Sequence, residues 1–324
     1  MGFDVSWHPI DEGLIRTRLL PYLRGEGDIG DLAATAANLA AVRSRAKAIA
    51  VAVCLPSTAP TGLFSLEKNH KDGGVKPSAL KPLPGFTADV HLQGRPFLLG
   101  GDDINVKYAE YLNSSPDGVE AIAHRELGTM PVPEFTPAGS PTAEELIADL
   151  TFLRNAFPLL KGNKPVTLPD GEIIDAEDLY LFNMPTAVVT FAAALLPGWM
   201  GRGPIWFTQY LDDAKLDPGV VETAATLFES ILDEVPDWRT AFEPTITHNY
   251  MLGGYVNAAN LPAFHQFWLE HETALIAPWI AEKDGARGRH GYTMIREALA
   301  LSEARGCGFL EATEIYSGFL ELLN

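Results

Sequence analysis

This sequence has few cysteines and no long apolar run. Its 324 residues include two cysteines, Cys54 and Cys307, far apart in apolar or glycine-rich surroundings. This usage argues against a disulfide framework and predicts two free thiols in a reducing compartment. The longest nearly uncharged apolar stretch, 186–196, is shorter than the ~20 residues of a membrane-spanning helix, and residues 1–13 lack the basic and apolar pattern of a leader. We therefore expect a cytoplasmic protein without a membrane partner.

Basic residues are also scarce. The sequence has 24 lysines and arginines and 42 aspartates and glutamates, which gives a net charge of -18. The imbalance is local: residues 1–130 hold 15 acidic and 13 basic side chains, whereas residues 131–324 hold 27 and 11. An acidic surface on the later part attracts cations or a basic partner and repels nucleic acid. We expect a basic protein partner and no nucleic acid.

Complete catalytic and cofactor motifs are absent as well. The sequence has no P-loop, no G-x-S-x-G, no C-x-x-C and no basic, aromatic-rich surface pattern. Gly25, Gly27 and Gly30 do spell G-x-G-x-x-G, the pattern of a dinucleotide-binding turn. The preceding segment has helical periodicity, however, and Glu26 and Asp28 would repel a diphosphate. We interpret the motif as a turn between two helices and expect no cofactor.

The composition and the hydrophobic periodicity of the sequence predict an α+β fold that is predominantly helical and divided into two lobes. Residues 1–130 form an N-terminal α+β lobe with a small sheet and a long irregular segment that is rich in proline and glycine. Residues 131–141, with four prolines in PVPEFTPAGSPT, form the connection. Residues 142–324 then form an acidic helical lobe.

Hydrophobic periodicity predicts the individual elements. A half-buried strand at 2–9 precedes helices at about 11–24 and 31–47, and the run AIAVAVCL is a candidate strand. The Asp-Gly pair in PVTLPDGEIID predicts a short hairpin. Further helices are predicted at 116–127, 144–157, 186–196, 205–213, 217–235, 261–282, 290–305 and 311–323.

Three polar residues share one face of the first predicted strand, namely Asp4, Ser6 and His8. Side chains two apart on a strand are about 6.5 Å apart, which is outside the hydrogen-bond reach of a Ser–His or His–Asp relay. The three are therefore expected to form a polar face, with His8 solvated or capped. One of them could still join a site built with residues from elsewhere.

The densest group of potential metal ligands contains His265, His271 and Glu272. His265 and Glu272 share a helical face, but His271 lies about 120° from His265, so the two imidazoles cannot easily hold one metal. The H-E-x-x-H zinc pattern also fails in HETAL. We predict no metal site, and leave open one in which His265 and Glu272 join His248 or His290.

An acidic run near residue 170 is the first candidate for a surface that faces a partner. It is not an EF-hand, because the spacing of its acids differs from that of a calcium loop. Two tryptophans in GWMGRGPIWFTQY alternate with glycines and could anchor the same partner. The candidate partner-binding residues are Asp170, Glu172, Asp175, Glu177, Asp178, Trp199 and Trp206.

These features favour an acidic cytoplasmic binding protein that engages a basic macromolecule, for example an immunity-type inhibitor of a toxin. The alternative is a hydrolase-like enzyme whose site is assembled from dispersed residues, since catalytic groups need only converge in space. A homodimer formed through the aromatic helices 261–282 and 290–305 is a third interpretation. The candidate residues of the enzyme are His8, His91, Arg95, His248, His265 and Glu272.

Overall fold

A computed structural model describes most of the chain. The described residues are 4–54, 114–127, 142–196, 199–202, 206–235 and 252–313. The predicted irregular segment, residues 56–101, and the predicted connection at 131–141 lie outside them. The described residues form a mostly helical α+β fold with a small antiparallel sheet.

The sheet has five strands in the order β4-β1-β7-β6-β5, and every neighbouring pair is antiparallel. It draws its middle strands from opposite ends of the chain, since Trp7 of β1 lies opposite Glu311 of β7. The pair β6–β7 is interrupted by an irregularity between Leu252 and Tyr255. A separate hairpin consists of β2 and β3. The strands are β1 (Asp4–Ile10), β2 (Val166–Thr167), β3 (Ile173–Ile174), β4 (Trp199–Arg202), β5 (Glu222–Thr223), β6 (Leu252–Val256) and β7 (Gly308–Thr313).

The remaining regular structure of the described residues is helical. The first helical segment consists of α1 (Glu12–Leu14), a π-helical turn (Ile15–Leu19) and α2 (Leu20–Leu23). The others are α3 (Gly30–Cys54), α4 (Pro116–Leu127), α5 (Ala143–Lys161), α6 (Ala176–Leu195), α7 (Phe207–Ala214), α8 (Ala225–Leu232), α9 (Leu261–Glu270), α10 (Glu272–Ala281) and α11 (Gly285–Ala304).

The first strand is confirmed, but the expectation that it is half-buried is wrong. Val5 and Trp7 are fully buried, and so is His8, which alternation places on the other face. The reason is non-local pairing: β1 lies between β4 and β7, in the interior of the sheet. His8 is therefore a buried residue and not a solvated one.

Four further predictions of local structure need correction. The predicted helix 217–235 begins only at Ala225, as α8, because residues 222–223 pair with β6 and form β5. The candidate strand AIAVAVCL belongs to α3, where alanine favours the helix, as far as Cys54. The predicted helix 261–282 breaks at His271, which separates α9 from α10. Residues 311–313, expected to begin a helix, belong to β7, because tertiary pairing with β1 and β6 decides their conformation.

The chain divides into two compact units. One unit contains Met1–Ala33 and Ala143–Ile315, and therefore the whole five-stranded sheet; the other contains Ala34–Thr142 and Tyr316–Asn324. Four of the five strands come from residues after 142 and one from the first 33. The predicted division into lobes at 131–141 stays a prediction, because those residues are outside the described ones.

Candidate functional site

The predicted hairpin at Asp170–Gly171 is confirmed. Val166 pairs with Ile174 and Thr167 with Ile173. The turn is closed by backbone hydrogen bonds from Leu168 N to the Glu172 carbonyl (2.7 Å) and from Gly171 N to the Leu168 carbonyl (2.9 Å). Gly171 has a φ of 92°, a left-handed conformation that glycine adopts without strain.

The hairpin displays an isoleucine among carboxylates. Ile173 is 69% exposed, more than any other large hydrophobic residue described as exposed. Asp170, Glu172 and Asp175, which lie within three residues of it in the sequence, are all exposed as well. We call these four residues the hairpin patch. The patch contains the first three acids of the predicted run; the last two, Glu177 and Asp178, lie in the first turn of α6.

No described cation forms an ion pair with the acids of the hairpin patch. The nearest lysines in sequence have other contacts: Lys161 is paired with Glu234 at 2.7 Å. The Lys164 side chain lies against Gly162, at the end of α5. Within the patch, the Asp170 carboxylate accepts a hydrogen bond from Glu172 N at 3.1 Å, which leaves most of its acceptor capacity facing solvent.

The two tryptophan candidates do not lie on the hairpin. Trp199 belongs to β4 and lies opposite Trp7 in the sheet. Trp206 directly precedes α7 and is half-buried, and its indole N–H is buried without a hydrogen-bond partner among the described residues. Their role as partner anchors stays a prediction.

The residues predicted for an enzyme are spread over the structure. His8 lies on β1, His265 on α9 and Glu272 at the start of α10, while His91, Arg95 and His248 lie outside the described residues. His265 does not share its helix with Glu272; its Nδ1 lies 2.6 Å from Glu303 of α11. No observation on the described residues favours this alternative, which stays a prediction. Equally, the described residues contain no group of three or more potential metal ligands.

The aromatic helices form part of the chain's own core. Trp268 of α9 stacks on Tyr292 of α11, and Tyr210 of α7 stacks on Trp279 of α10 with centroids 5.1 Å apart. The Tyr210 hydroxyl donates to the Gly288 carbonyl at 2.6 Å. These rings therefore pack against one another within a single chain. The homodimer stays untested, although Leu269 and Ile280 are exposed on the same helices.

The glycine motif is a turn between helices, as predicted. The amides that would hold a phosphate already donate to the protein itself: Gly25 N to the Tyr22 carbonyl, and Gly30 N to the Asp28 carboxylate. The carbonyls of Gly25 and Gly27 accept hydrogen bonds from Arg154, whose guanidinium also lies over the Tyr22 ring. This loop is thus bound to α5 and offers little to a dinucleotide.

A groove of about 560 Å³ opens beside this loop. It is lined by Arg24, Glu26, Phe157, Pro158, Lys161 and Glu234. The Glu234 carboxylate binds both cations, with Arg24 Nε at 2.9 Å and Lys161 Nζ at 2.7 Å. Hydrogen bonding to Lys161, together with the two positive charges, lowers the pKa of Glu234. The charges of this groove compensate one another, and its lining does not include His8, His265 or Glu272, the enzyme candidates among the described residues.

Sequence reasoning missed one buried polar site, centred on Glu311 of β7. This carboxyl is fully buried and lies at the N-terminus of α7. Its Oε2 accepts a hydrogen bond from Thr208 N at 3.3 Å, and its Oε1 accepts from Gly254 N at 3.1 Å and from the Thr208 hydroxyl at 2.5 Å. The signal in the sequence was Gly253–Gly254, where only glycines leave room for Glu311 and for α7.

Burial raises the pKa of Glu311 to about 7, although the hydrogen bonds from Thr208 and Gly254 act in the opposite direction. Burial likewise raises the pKa of the free Cys307 thiol to about 11. Both groups are enclosed, with Glu311 at 0% and Cys307 at 6% exposure, so neither is presented to a substrate from solvent. We therefore regard the hairpin patch as the candidate functional site.

Within the described residues, no helix is both long and apolar enough to cross a membrane. No protein-family model, no curated protein and no solved structure matches this chain.

Proposed function

We propose that this chain is a cytoplasmic binding protein that holds a basic protein partner against the hairpin patch, in the manner of an immunity-type inhibitor of a toxin. The observation that carries the proposal is the exposure of Ile173 at 69% among three exposed carboxylates. The patch combines a small apolar centre with a charged rim, which is how protein interfaces are commonly built.

The apolar centre supports a protein partner in particular. An isoleucine that loses its exposed surface on binding contributes about 2 kcal/mol. Single exposed hydrophobic residues are common on protein surfaces, but this one lies on a hairpin closed by its own backbone hydrogen bonds. Because the hairpin is already ordered, a partner would not have to bear the entropy cost of ordering it.

The charges of the patch support a basic partner. Asp170, Glu172 and Asp175 are exposed, and no described cation pairs with them. Their mutual repulsion is relieved when cationic side chains approach, and the net charge of -18 adds a long-range attraction. Complementary charge of this kind mainly accelerates association and weakens as salt screens it.

Affinity capture with matched variants tests the proposal. The wild-type chain, the variant Asp170→Lys/Glu172→Lys and the control Asp212→Lys/Asp213→Lys are used as baits in extracts of the native host at low and high salt. Asp212 and Asp213 are exposed in the last turn of α7, so the control carries the same change of charge at a different place. Lysines at a helix C-terminus are also favourable for the helix dipole.

We expect wild type and control to retain one stoichiometric basic protein at low salt and to release it at high salt. The hairpin variant should fail to retain it. Retention of the same protein by all three baits would contradict the assignment to the hairpin patch. Absence of any salt-sensitive basic protein on the wild-type bait would contradict the proposed function itself.

A further inference from the structure

We propose that Glu311 is a pH-sensitive latch: gain or loss of a proton by this buried carboxyl changes how strongly α7 is held against the sheet. The inference is independent of the hairpin patch and of any partner. It starts from the way in which α7 begins. The residue before the helix, Trp206, makes no side-chain hydrogen bond to the first turn. The carboxyl of Glu311, from a strand about 100 residues further along, occupies the place of a local cap.

The latch joins three parts of the fold through one titratable group. Glu311 belongs to β7, Thr208 to the first turn of α7, and Gly254 to β6. A Cβ on Gly253 would lie 2.4 Å from Glu311 Oε1, and one on Gly254 would lie 2.5 Å from the Thr208 methyl group. The glycine pair therefore allows β6, Glu311 and α7 to approach this closely, and little space remains for water.

The hydrogen bonds and the burial favour opposite protonation states. Two amides and a hydroxyl donate to Glu311, an arrangement that suits a carboxylate. Full burial favours the neutral acid, because a buried charge loses its hydration. A neutral carboxyl has to donate one hydrogen bond, and the Thr208 hydroxyl is the one of these three groups that can turn from donor to acceptor.

The other titratable groups considered on β1, β6 and α7 lie on the opposite face of the sheet, have another partner or are exposed. His8 of β1 and Tyr255 of β6 both lie opposite Leu310, so alternation places them on the other face of the sheet. Tyr210 of α7 is bonded to the Gly288 carbonyl. Asp212 and Asp213 of the same helix are exposed in its last turn.

Three more titratable groups lie on the helices α9 and α11 and could also contribute to a pH dependence. His265 of α9 is paired with Glu303 of α11, and Glu297 of α11 is a half-buried carboxyl. Glu297 is therefore the group that a control has to exclude.

The direction of the effect follows from the raised pKa. Between its ordinary value of 4.5 and about 7, Glu311 binds a proton in the folded state that it releases in the unfolded state. Its contribution to stability is thus fully present below about 4.5 and is lost as the pH rises to about 7. Above that pH the folded state carries a buried carboxylate at the first turn of α7.

Urea unfolding of the full chain between pH 4.5 and 8.5 tests the latch. As the pH rises from 4.5 to 7, the folding constant of wild type should fall by about tenfold per pH unit relative to that of Glu311→Gln. The ratio of the two constants should stay constant above pH 7. The control Glu297→Gln should show the pH dependence of the wild type. A constant ratio for Glu311→Gln, or a change that follows Glu297→Gln instead, would overturn the proposal.

A second measurement covers the case in which Glu311→Gln fails to fold. Carboxyl carbon NMR of the wild-type chain, labelled at its glutamates, should show one carboxyl that titrates with a midpoint near 7. In Thr208→Val the midpoint should move to higher pH, because the hydroxyl donor that favours the carboxylate is gone. If every glutamate titrates below pH 6, the proposal is overturned.

Discussion

At the scale of single residues, the contact of β6 with β7 and α7 is closely packed. The buried Glu311 carboxyl, the first turn of α7 and the pair Gly253–Gly254 meet there, and the strand pairing is irregular at the glycines. A side chain on either glycine would collide with its neighbours. These glycines are therefore required by close approach, in contrast to the glycines of the exposed turns.

The variant Gly253→Ala should lower the free energy of unfolding by about 1 to 3 kcal/mol, because overpacking a buried site displaces its neighbours. The added Cβ would lie 2.4 Å from Oε1 and 2.5 Å from Cγ of Glu311. Urea denaturation measures the loss. The control is Gly162→Ala, where the nearest atoms would lie 3.5 Å from the added carbon, an ordinary contact distance. Equal stabilities of the two variants would contradict the close packing around Glu311.

At the scale of elements, a small ion-pair network connects α2, α5 and α8. Glu234, just after α8, binds Arg24 at the end of α2 and Lys161 at the end of α5. Arg24 also donates to the carbonyl of Ser230. These helices carry the glycine loop and the groove, so the network holds together the part of the surface that resembled a dinucleotide-binding motif in the sequence.

The variant Glu234→Gln should lose about 0.5 to 1 kcal/mol of stability at pH 7, a magnitude typical of partly exposed ion pairs. Since the pKa of Glu234 is lowered in the folded state, its stabilisation is present above the ordinary value of 4.5 and disappears as the pH falls below it. Thermal unfolding at pH 7 and pH 3 measures this dependence. The control is Glu229→Gln, exposed on α8. A difference from wild type that persists unchanged at pH 3 would contradict the network.

Local pattern accounted for part of these elements. Alternation predicted β1, the Asp-Gly pair predicted the hairpin, and helical periodicity predicted α4 and α5. What it could not supply was long-range pairing. Nothing near Trp7 indicates that Glu311 lies opposite it, or that a strand with a polar face is covered on both faces. The segment at 311–313 was predicted to be helical for the same reason.

The candidate site, like the fold, was predictable only where it depends on local sequence. The acidic run and its turn were evident from residue types, whereas the exposure of Ile173 depends on how the hairpin projects from the packed helices. Glu311 escaped notice because a single glutamate in an apolar strand has no motif. The only sequence signal was the neighbouring glycine pair, whose meaning depends on a strand pairing that local pattern does not specify.

At the scale of the whole molecule, the charge imbalance and the exposed hairpin support the same proposal. The chain carries a net charge of -18, and its hairpin patch adds an apolar anchor to three exposed carboxylates. In the proposed function, the charges would attract a basic protein from a distance, and the anchor would hold it after contact. These two contributions can be separated, because salt screens the first and leaves the second largely unchanged.

The measurement that tests this proposal most directly is the dissociation constant of the captured partner at two salt concentrations, for wild type, Asp170→Lys/Glu172→Lys and Ile173→Ser. For wild type, affinity should fall steeply with salt. The lysine variant should bind weakly at both concentrations and lose the salt dependence, whereas Ile173→Ser should bind about tenfold more weakly and keep it. Wild-type affinity and salt dependence in both variants would contradict binding at the hairpin patch.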